Sequence, residues 1–596
     1  MATTETQVMA KLVKGGSFLT EEREPNDIFT AEDLSEEHRQ IAKTAIEFTT
    51  NEVMPLAAEI EAKNFEVTRT LLRKAGDLGL MGVDVPEEYG GMEMDKVTSA
   101  LVAESITQLA SFSVAFSAHT GIGTLPIVWY GTEAQKRKYL PKLASGEWIG
   151  AYALSESSSA SDAMHCRTRA VLSADGKHYV LNGEKMWITN SGFADLFTVF
   201  AKLDGDKFTA FLIERGTPGF SVGAEEHKLG IRGSSTCPLI LADCQVPVEN
   251  LLGEIGKGHH IAFNILNIGR FKLGAACVGG ARNGLREAIG YAKERKAFGK
   301  SISDFGLIQE KIAESATGIF VGESLVYRTI GMIDAALAGI DVTSSKEIQK
   351  RIEEYAVECS ILKVWGSEML DMVVDHVLQI YAGYGYVEEY PAERAYRDSR
   401  INRIFEGTNE INRLIITGWL MKRAMTGQLP LLSAIKKLMD EVMSGPGARM
   451  DYEGPLAGEL GLLANGKKLA LFAAGAASQK YMQGLPDQQE VMGALADCIM
   501  EVYALESAIL RAGKLIATRG ESGARQAIAM TRYYAAKSFD TIERSATKVI
   551  AHVAEGDMLR TQMAIVRRLS KHEPADTITM GRQIARHMIA AGRYSL

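Results

Sequence analysis

At 596 residues the chain is too long for a single compact core, and its length predicts about three to four domains. Hydrophobic residues make up 46% and charged residues 23%, which is ordinary for a soluble globular protein. The net charge of −8 argues against nucleic acid as a partner, because duplex-binding proteins usually present a basic face.

The spacing of the cysteines and the composition of the N-terminal residues indicate the cellular compartment in which the protein is expected. The cysteines form no CxxC pair and have no zinc-ligand spacing with histidines, which predicts reduced, mostly buried thiols and no metal site. They are Cys166, Cys237, Cys244, Cys277, Cys359 and Cys498. The N-terminal MATTETQVMAKLVKGG has neither the apolar core of a signal peptide nor the Arg-rich bias of a mitochondrial transit peptide, and the chain contains no run of about 18 apolar residues. We therefore expect a bacterial-type cytoplasmic enzyme or a mature organellar form.

Residues 1–150 are predicted to form an N-terminal helical domain. The stretch SEEHRQIAKTAIEFTTNEVMP places Ser35 at a helix N-cap, continues with apolar residues at helical spacing and ends at Pro55. Residues 82–95, GVDVPEEYGGMEMD, are predicted to be a loop because they are rich in Gly and acidic residues.

The pattern becomes strand-like over residues 151–256. Short apolar stretches rich in β-branched and aromatic residues, such as HYVLNGEKMWIT and KFTAFLIERG, are separated by Gly, Asp and Asn. Because such close spacing leaves no room for crossover helices, we predict an antiparallel barrel or sandwich rather than a doubly wound sheet.

Helical patterns return over residues 257–440, where apolar residues recur three and four positions apart between charged faces. A Gly- and Pro-containing break at 443–455, MSGPGARMDYEGP, separates this predicted bundle from an Ala-rich helical stretch at 456–596. The predicted fold class is therefore α+β multidomain. It comprises an N-terminal helical domain, a central antiparallel β domain, a C-terminal helical bundle and an extra helical C-terminal extension.

The segment RINRIFEGTNEI at 400–411 carries the strongest candidate for chemistry. Glu406 follows Ile404 and Phe405, and a carboxylate in apolar surroundings is desolvated, so that its pKa rises toward neutrality. Such a group suits a general base that faces a weakly acidic C–H bond. The alternative interpretation is a glutamate at a helix entry, near the positive end of the helix dipole.

Four further segments carry groups suited to a ligand. SESSSASD at 155–162 offers hydroxyl donors to a polar ring edge or a phosphate, and KMWITNSG at 185–192 places an indole and a hydroxyl on one side of a strand. ERKAFGK at 294–300 offers an Arg and a Phe one turn apart. QIYAGYGY at 379–386 contains a Gly break that lets backbone approach a ligand closely. Taken singly, each segment is better explained as ordinary structure.

Together, and in this order, these segments resemble the acyl-CoA dehydrogenase family over about residues 36–425. IFEGTNEI resembles the signature of the family's catalytic glutamate, and RKAFGK, MWITN and GYGY…EYPAERAYRD resemble its flavin and dimer segments. The very-long-chain type is the most similar subgroup, through KYLPKLASGE, NIGRFKLGAA, FGLIQEK and the extra C-terminal region. No GxGxxG fingerprint follows a strand, which is consistent with a family whose FAD site is not Rossmann-based.

The resemblance implies an FAD-dependent enzyme of fatty-acid β-oxidation. Such an enzyme converts long or very-long-chain acyl-CoA to trans-2-enoyl-CoA and passes electrons to an electron-transfer flavoprotein. The resemblance also implies a homodimer, whose extension replaces the second dimer of tetrameric relatives. Two alternatives stay open: an acyl-CoA oxidase that reduces oxygen, and an acyl-CoA dehydrogenase-like binding or assembly protein.

Carried over position by position, the resemblance implies that Glu406 removes the substrate α-proton. The residues implied at the cofactor are Tyr152, Leu154, Ser155, Ser161, Trp187, Thr189, Thr408 and Glu410, with Arg295, Phe298, Gln379 and Gly383 at the FAD of the neighbouring subunit. The residues implied at the acyl-CoA are Ser161, Asn267, Arg270 and Gly407. Some family members carry the base on the helix of Arg270, but the matching position here is Gly269, which leaves Glu406 as the candidate.

The predicted flavin loop departs from the family pattern. The flavin loop is SESSSASD where the family reads more like TEPxxGSD, so that Ser157 replaces a rigid Pro and Ala160 replaces a Gly. Ala adopts positive φ less readily than Gly, so the conformation of this loop does not follow from the family pattern.

A wide acyl tunnel and close helix packing are equally compatible with four small residues, Gly269, Gly274, Ala275 and Ala276.

The C-terminal extension mixes basic and apolar residues. The basic residues are Arg560, Arg567, Arg568, Lys571, Arg582, Arg586 and Arg593, and the apolar ones include Ile565, Val566, Ile584 and Met588. We interpret this mixture either as a peripheral membrane surface suited to insoluble substrates or as a solvated helix face.

Overall fold

The computed structural model describes residues 12–340, 345–443 and 452–596. Most of the break predicted at 443–455, and most of the N-terminal segment MATTETQVMAKLVKGG, lie outside the described residues. Within the described ranges the element order is the predicted one: helices, a β domain, a helical bundle and a helical extension.

The first helices lie before the sheet, as predicted. They are α1 Glu36–Phe48, α2 Ala57–Glu61, α3 Phe65–Asp77, α4 Lys96–Ser105, α5 Ala110–Ala118, α6 Leu125–Tyr130 and α7 Glu133–Ala144. The N-cap of α1 is Ser35, whose Oγ accepts a hydrogen bond from the backbone N–H of His38 at 3.1 Å. Residues 82–95 form the predicted loop, apart from one 3-10 turn at Glu87–Tyr89.

The β domain is one eight-stranded sheet with the order β6-β7-β3-β2-β4-β5-β8, and β1 also pairs with β4. Its strands are β1 Gly150–Ala153, β2 Arg169–Leu172, β3 His178–Thr189, β4 Leu196–Leu203, β5 Lys207–Glu214, β6 Phe220–Val222, β7 Thr236–Pro247 and β8 Leu251–Leu252. Most neighbours are antiparallel, as predicted, but β1 and β2 each pair with β4 in parallel. Neither pair is joined by a hairpin, because long stretches of chain separate the partners, so the antiparallel constraint of a tight turn does not apply.

The helical bundle follows, with a two-stranded hairpin inserted after its first helix. The elements are α8 Gly258–Glu294, β9 Lys296–Ala297, β10 Lys300–Ser301, α9 Gly306–Leu337, α10 Ser345–Glu354, α11 Ala356–Tyr381, α12 Pro391–Ser399, α13 Asn409–Met425 and α14 Leu431–Met443. The extension comprises α15 Ala457–Tyr481, α16 Gln489–Gly523, α17 Arg525–Val553, α18 Gly556–Leu569 and α19 Thr577–Ala591.

Helices α8 and α11 form the centre of the bundle because small residues let them approach closely. A Cβ on Gly274 would lie 3.1 Å from Leu362 Cβ, and one on Gly366 would lie 3.3 Å from Gly274 Cα. By length and composition, α8 is the one described helix that could cross a membrane, but 78% of its most apolar window is buried inside the protein. The apolar character of α8 is therefore that of a core helix.

The N-terminal stretch and the extension are fastened to the bundle by buried polar groups. The backbone N–H of Gly16 donates to Glu358 of α11 at 2.6 Å. Arg511 of α16 is fully buried and pairs with Glu32 at 2.7 Å and with Glu323 of α9 at 2.9 Å. Removing one partner of such a buried pair is costly, since the other charge is left uncompensated. Residues 12–33 therefore pack on the C-terminal helices.

Candidate active site

Glu406 lies in a short loop between the 3-10 turn Arg400–Arg403 and helix α13. We call residues 406–408 the base loop. Glu406 has φ 58° and Gly407 has φ 80°, so two successive residues occupy the left-handed region. This conformation is unfavourable for a non-glycine residue and persists only where the surroundings enforce it.

The Glu406 carboxylate is buried without a hydrogen bond to Oε2. It lies directly against α8 at Gly269, where a Cβ would come within 2.5 Å of that oxygen. Burial raises the pKa of Glu406 to about 7, although the nearby cations Arg270 and Lys363 act in the opposite direction. The N-cap of α13 is Thr408, whose hydroxyl accepts from the N–H of Ile411 at 3.3 Å. The helix-entry interpretation of Glu406 is therefore unnecessary, because Thr408 performs that task.

Side chains from three helices hold the carbonyl groups of the base loop. Arg270 Nε of α8 donates to the Glu406 carbonyl at 3.2 Å, and Lys363 Nζ of α11 donates to the Gly407 carbonyl at 2.7 Å. Asn412 Nδ2 of α13 donates to the carbonyls of Glu406, Gly407 and Thr408 at 3.4, 2.8 and 3.1 Å. The structure records no acceptor for the backbone N–H of Glu406. The loop thus presents an unpaired carboxylate oxygen together with a free donor.

A cavity of about 240 Å³ begins at Glu406 and continues along α8. The face of α8 that lines it carries Gly269, Leu273, Ala276, Cys277, Gly280, Gly284 and Glu287, and the opposite wall comes from α5, α11 and α12. Of the four small residues considered from sequence, Gly269 and Ala276 line this cavity, whereas Gly274 packs against Leu362. Close helix packing therefore accounts for Gly274, and Gly269 and Ala276 border an open cavity whose use as an acyl tunnel stays a prediction.

The two segments predicted at the flavin within one subunit lie side by side. The N–H of Met186 donates to the Ser155 carbonyl at 2.9 Å, which joins SESSSASD to the end of β3. Thr189 lines the same cavity as Glu406, while the Trp187 ring is 54% exposed. Tyr152 is buried, and its pKa is raised well above the ordinary value by burial and then by the nearby Glu406 charge. Strands β1 and β3 therefore place Tyr152 and Thr189 near Glu406.

Hydrogen bonds of Glu156 stabilise the SESSSASD loop at 155–162, the predicted flavin loop. The N–H and carbonyl of Glu156 exchange hydrogen bonds with Ser159 at 2.8 and 3.2 Å. The buried Glu156 carboxylate accepts from Lys185 Nζ at 2.7 Å and from the Thr168 hydroxyl at 2.6 Å. No residue from 155 to 162 has positive φ, so Ala160 is accommodated without strain in this loop. The Glu156–Lys185 ion pair and the reciprocal backbone hydrogen bonds of Glu156 and Ser159 thus hold this loop where Ser157 and Ala160 stand in place of a proline and a glycine.

The four residues predicted at a neighbouring subunit's FAD lie together on the surface. Arg295 is exposed with its guanidinium 5.5 Å from the ring centre of Tyr384, next to Gly383. Gln379 is exposed on the last turn of α11, and its carbonyl accepts from the N–H of Ala382. Phe298 is 95% exposed at the tip of the β9–β10 hairpin, with φ 51°. The structure shows no contact between this group and Glu406 within one chain.

The remaining predicted residues divide between the surface and the support of the base loop. Ser161 and Glu410 are exposed, whereas Leu154 is buried and its carbonyl accepts from Lys185 at 3.3 Å. Asn267 is buried, and its side-chain oxygen accepts from Arg270 Nη1 at 2.9 Å. Asn267 and Arg270 thus lie behind the base loop, while Gly407 and Thr408 belong to it.

Sequence reasoning missed Lys363 and Asn412. Lys363 is fully buried on α11, and burial lowers its pKa to about 8. The available signal was a single lysine inside the apolar run SILKVW, because a lysine is almost never buried unless it is paired. Asn412 carried no comparable signal, since its three carbonyl partners depend on the shape of the loop.

Comparison with known proteins agrees with this arrangement. Four domain families match the chain: acyl-CoA dehydrogenase N-terminal domain at 35–147, middle domain at 151–244, and two C-terminal domain families at 256–421 and 465–568. A probable acyl-CoA dehydrogenase of Bacillus subtilis is 48% identical over 594 residues, covering 98% of this chain and 99% of its own. The chain belongs to the acyl-CoA dehydrogenase family. The resemblance inferred from the motifs is confirmed.

Two further members of the family bear on the fold and the subgroup. The crystal structure of a Bacillus anthracis acyl-CoA dehydrogenase complexed with FAD has a TM-score of 0.96 and 49% identity, covering 98% of this chain and all of that one. The predicted fold class of this acyl-CoA dehydrogenase, including its extension, is thus confirmed. The human mitochondrial very long-chain specific acyl-CoA dehydrogenase is 37% identical over 479 residues, covering 75% of this chain and 70% of its own.

Proposed function

We propose that this acyl-CoA dehydrogenase removes hydrogen from the α and β carbons of long-chain acyl-CoA in fatty-acid β-oxidation. The observation that carries the proposal is the buried, unpaired Glu406 Oε2 at the head of an apolar cavity, with a pKa of about 7. A carboxylate with a pKa of about 7 is about half ionised at neutral pH and binds a proton far more strongly than an ordinary glutamate does.

The residues of the base loop suggest how the proton is removed. Glu406 accepts the α-proton, and its free backbone N–H donates to the thioester carbonyl, where negative charge develops. FAD, when bound, supplies the hydride acceptor for the β-carbon. The apolar walls exclude water, which strengthens these interactions and protects the reaction from solvent. The product is a trans-2-enoyl-CoA.

FAD is the cofactor that the chain's residues fit. The Trp187 ring is half exposed beside the hydroxyl-rich loop of Ser155 and Ser161, and Thr189 faces the cavity of the base. An exposed indole and several free hydroxyl groups suit a flat heteroaromatic ring with polar edges. Thr408 is two residues after Glu406, at the N-cap of α13.

The length of the cavity supports a long acyl chain as substrate. Its lining residues on α8 run from Gly269 to Glu287, which corresponds to about 27 Å of helix. Three of them, Gly269, Gly280 and Gly284, have no side chain to fill the cavity. Each methylene that the cavity buries contributes about 0.8 kcal/mol, so that a long open cavity favours long chains steeply.

A homodimer would complete the site. Phe298 on the β9–β10 hairpin is 95% exposed, and Tyr386, three residues after Gly383, is 83% exposed. Such high exposure is unusual for large aromatic side chains of a monomer. We infer that a second copy covers them and that Arg295, Phe298 and Gln379 reach the FAD of that copy. Sedimentation velocity should show a dimer, and Phe298→Ser should weaken both the dimer and FAD retention.

The electron acceptor and the location are proposed on chemical grounds. An electron-transfer flavoprotein is the expected acceptor, and oxygen consumption in its absence would favour the oxidase alternative instead. All six cysteines are free and buried, which suits a reducing compartment such as the cytoplasm.

We propose that any membrane contact through the C-terminal extension is mainly electrostatic, with Met558 of α18 and Ile578 of α19 as its exposed large apolar side chains. The apolar residues Ile565, Val566, Ile584 and Met588 are all buried against the protein and are not available for insertion. The basic residues of α18 and α19 remain exposed. Anionic vesicles should therefore bind the protein weakly and release it as salt screens the charges.

The decisive experiment is an anaerobic titration of the purified protein with palmitoyl-CoA, followed by the visible absorption of the flavin, for the wild type and Glu406→Gln. Bleaching in the wild type but not in the variant would establish both the dehydrogenation and the base. A protein without flavin, or with flavin that no acyl-CoA bleaches, would favour the binding or assembly alternative.

Chain length has its own test. Gly280→Leu would place a side chain in the middle of the cavity, where it should lower kcat/KM for palmitoyl-CoA far more than for butyryl-CoA. Gly290→Leu is the matched control on the same helix, since a Cβ there meets nothing within 4 Å. Equal losses for both substrates would contradict the long-chain assignment.

A further inference from the structure

We propose that Lys363 is a positioning residue for the dehydrogenation. Its buried ammonium group holds the strained base loop so that both the carboxylate and the backbone N–H of Glu406 face the substrate. This role rests on the proposed function and concerns a residue outside the cavity lining. Lys363 is fully buried in the N-terminal third of α11, whose close contact with α8 fixes its position.

The two hydrogen bonds of Lys363 reach across the bundle to the base loop. Its Nζ donates to the Gly407 carbonyl and to Asn409 Oδ1, both at 2.7 Å. Asn409 is itself fixed, because its Nδ2 donates to Ser367 Oγ at 3.1 Å and to Glu368 Oε1 at 3.0 Å. Lys363 is therefore the central donor of a rigid network that ends on the residue after the base.

Such a network explains why the loop keeps an unfavourable backbone. Left-handed φ at Glu406 and Gly407 turns the loop carbonyls inward, where donors from α8, α11 and α13 meet them. The same turn leaves the Glu406 N–H without a protein acceptor. Strain of this kind persists only when several contacts enforce it, and Lys363 provides the single charged contact to the Gly407 carbonyl in the described structure.

The ammonium group also acts on the carboxylate through its charge. The charged and titratable groups that face Glu406 are Arg270 of α8, Lys363 of α11 and Tyr152 of β1. Those that face Lys363 are Glu406, Cys277, Arg270 and Glu410. Both cations favour the ionised carboxylate, so the loss of Lys363 should raise the pKa of Glu406 further.

The test compares Lys363→Met with Lys363→Arg in the FAD-bound enzyme, using palmitoyl-CoA. Lys363→Met removes both charge and donor, so kcat at pH 7 should fall by about 10- to 100-fold. The acid limb of kcat/KM should move up by about one pH unit, because the base then needs a higher pH to ionise. Lys363→Arg should restore the position of the acid limb.

Lys514→Met is the matched control. Lys514 is another largely buried lysine that donates to a backbone carbonyl, that of Ile28 at 3.0 Å, and to a side-chain oxygen, that of Asp33, but it lies away from the base loop. Its loss should lower stability without moving the acid limb. A shift of the acid limb in this control would show that the effect is general and would overturn the role of Lys363.

Asn412→Ala keeps the proposal testable if Lys363→Met fails to fold. It removes a second donor to the loop but no charge, so kcat should fall while the acid limb stays in place. If the wild-type enzyme turns over palmitoyl-CoA and both Asn412→Ala and Lys363→Met keep the wild-type kcat, the inference is overturned. Absence of turnover in the wild type would instead contradict the proposed function, so the two failures are distinguishable.

Discussion

Two half-buried glutamates in this acyl-CoA dehydrogenase have a carboxyl pKa raised to about 7 by desolvation, yet their surroundings differ. Glu501 lies on α16 of the extension, where it faces the bundle, and its Oε2 accepts from the Tyr534 hydroxyl at 2.6 Å. Glu406 lies in the base loop with an unpaired oxygen and left-handed backbone. Burial alone therefore does not distinguish the two carboxyl groups, and the unpaired oxygen in a strained loop is what favours Glu406 as the candidate base.

The charged neighbours of the two carboxylates have opposite signs. Glu501 faces the acidic Asp497 and Glu368, which raise its pKa further. Glu406 faces the cations Arg270 and Lys363, which lower its pKa and so keep the ionised form accessible near neutral pH. The proposed base Glu406, which must be ionised to accept a proton, thus lies beside positive charge, whereas Glu501 lies beside negative charge.

The largest effect is expected from neutralising each glutamate in turn. Glu406→Gln should lower kcat by at least about 10³-fold, because the α-proton has no other acceptor in the base loop. Glu501→Gln should leave kcat within about twofold, since it lies in a separate cavity lined by α9, α11, α13, α16 and α17. Steady-state turnover with palmitoyl-CoA measures both, and comparable losses would break the distinction.

A smaller effect is expected from moving the Glu406 carboxylate without removing it. Gly269→Ala places a Cβ about 2.5 Å from Glu406 Oε2, so the carboxylate must shift, and kcat should fall by about 10- to 100-fold. Gly290→Ala on the same helix meets nothing within 4 Å and serves as the control. If Gly269→Ala turned over at the wild-type rate, the packing of the base against α8 would be irrelevant to catalysis.

The smallest effect concerns stability, where the two glutamates should behave alike. Each carboxyl has a folded pKa of about 7, above its ordinary value of 4.5, so stability is lost as pH rises through this interval and the buried group ionises. Glu406→Gln and Glu501→Gln should each raise stability by up to about 3 kcal/mol at pH 8, with no gain at pH 4. Thermal unfolding at both pH values provides the measurement, and a gain that is equal at pH 4 and pH 8 would contradict these pKa values.

Much of the site was predictable from sequence because its signals are local. The N-cap at Ser35, the alternation in β3 and the helical spacing in α8 and α11 are properties of short segments, and the structure places these elements as predicted. Glu406 was identified from its apolar neighbours and from the order of the surrounding motifs. The flavin loop was harder, because its ion pair joins Glu156 to Lys185 on another strand.

The sequence by itself determined the kinds and order of elements and the family, and it singled out Glu406 as the candidate base. Tertiary structure alone decided that the Glu406 carboxylate packs against Gly269, that Lys363 donates to the Gly407 carbonyl, and that apolar residues of α18 and α19 such as Val566 and Ile584 are buried. The reason is physical: periodicity and capping depend on residues a few positions apart, whereas these contacts join residues more than forty positions apart or on separate helices. Such contacts form only when the helices pack, and packing depends on side-chain shapes that no local pattern encodes.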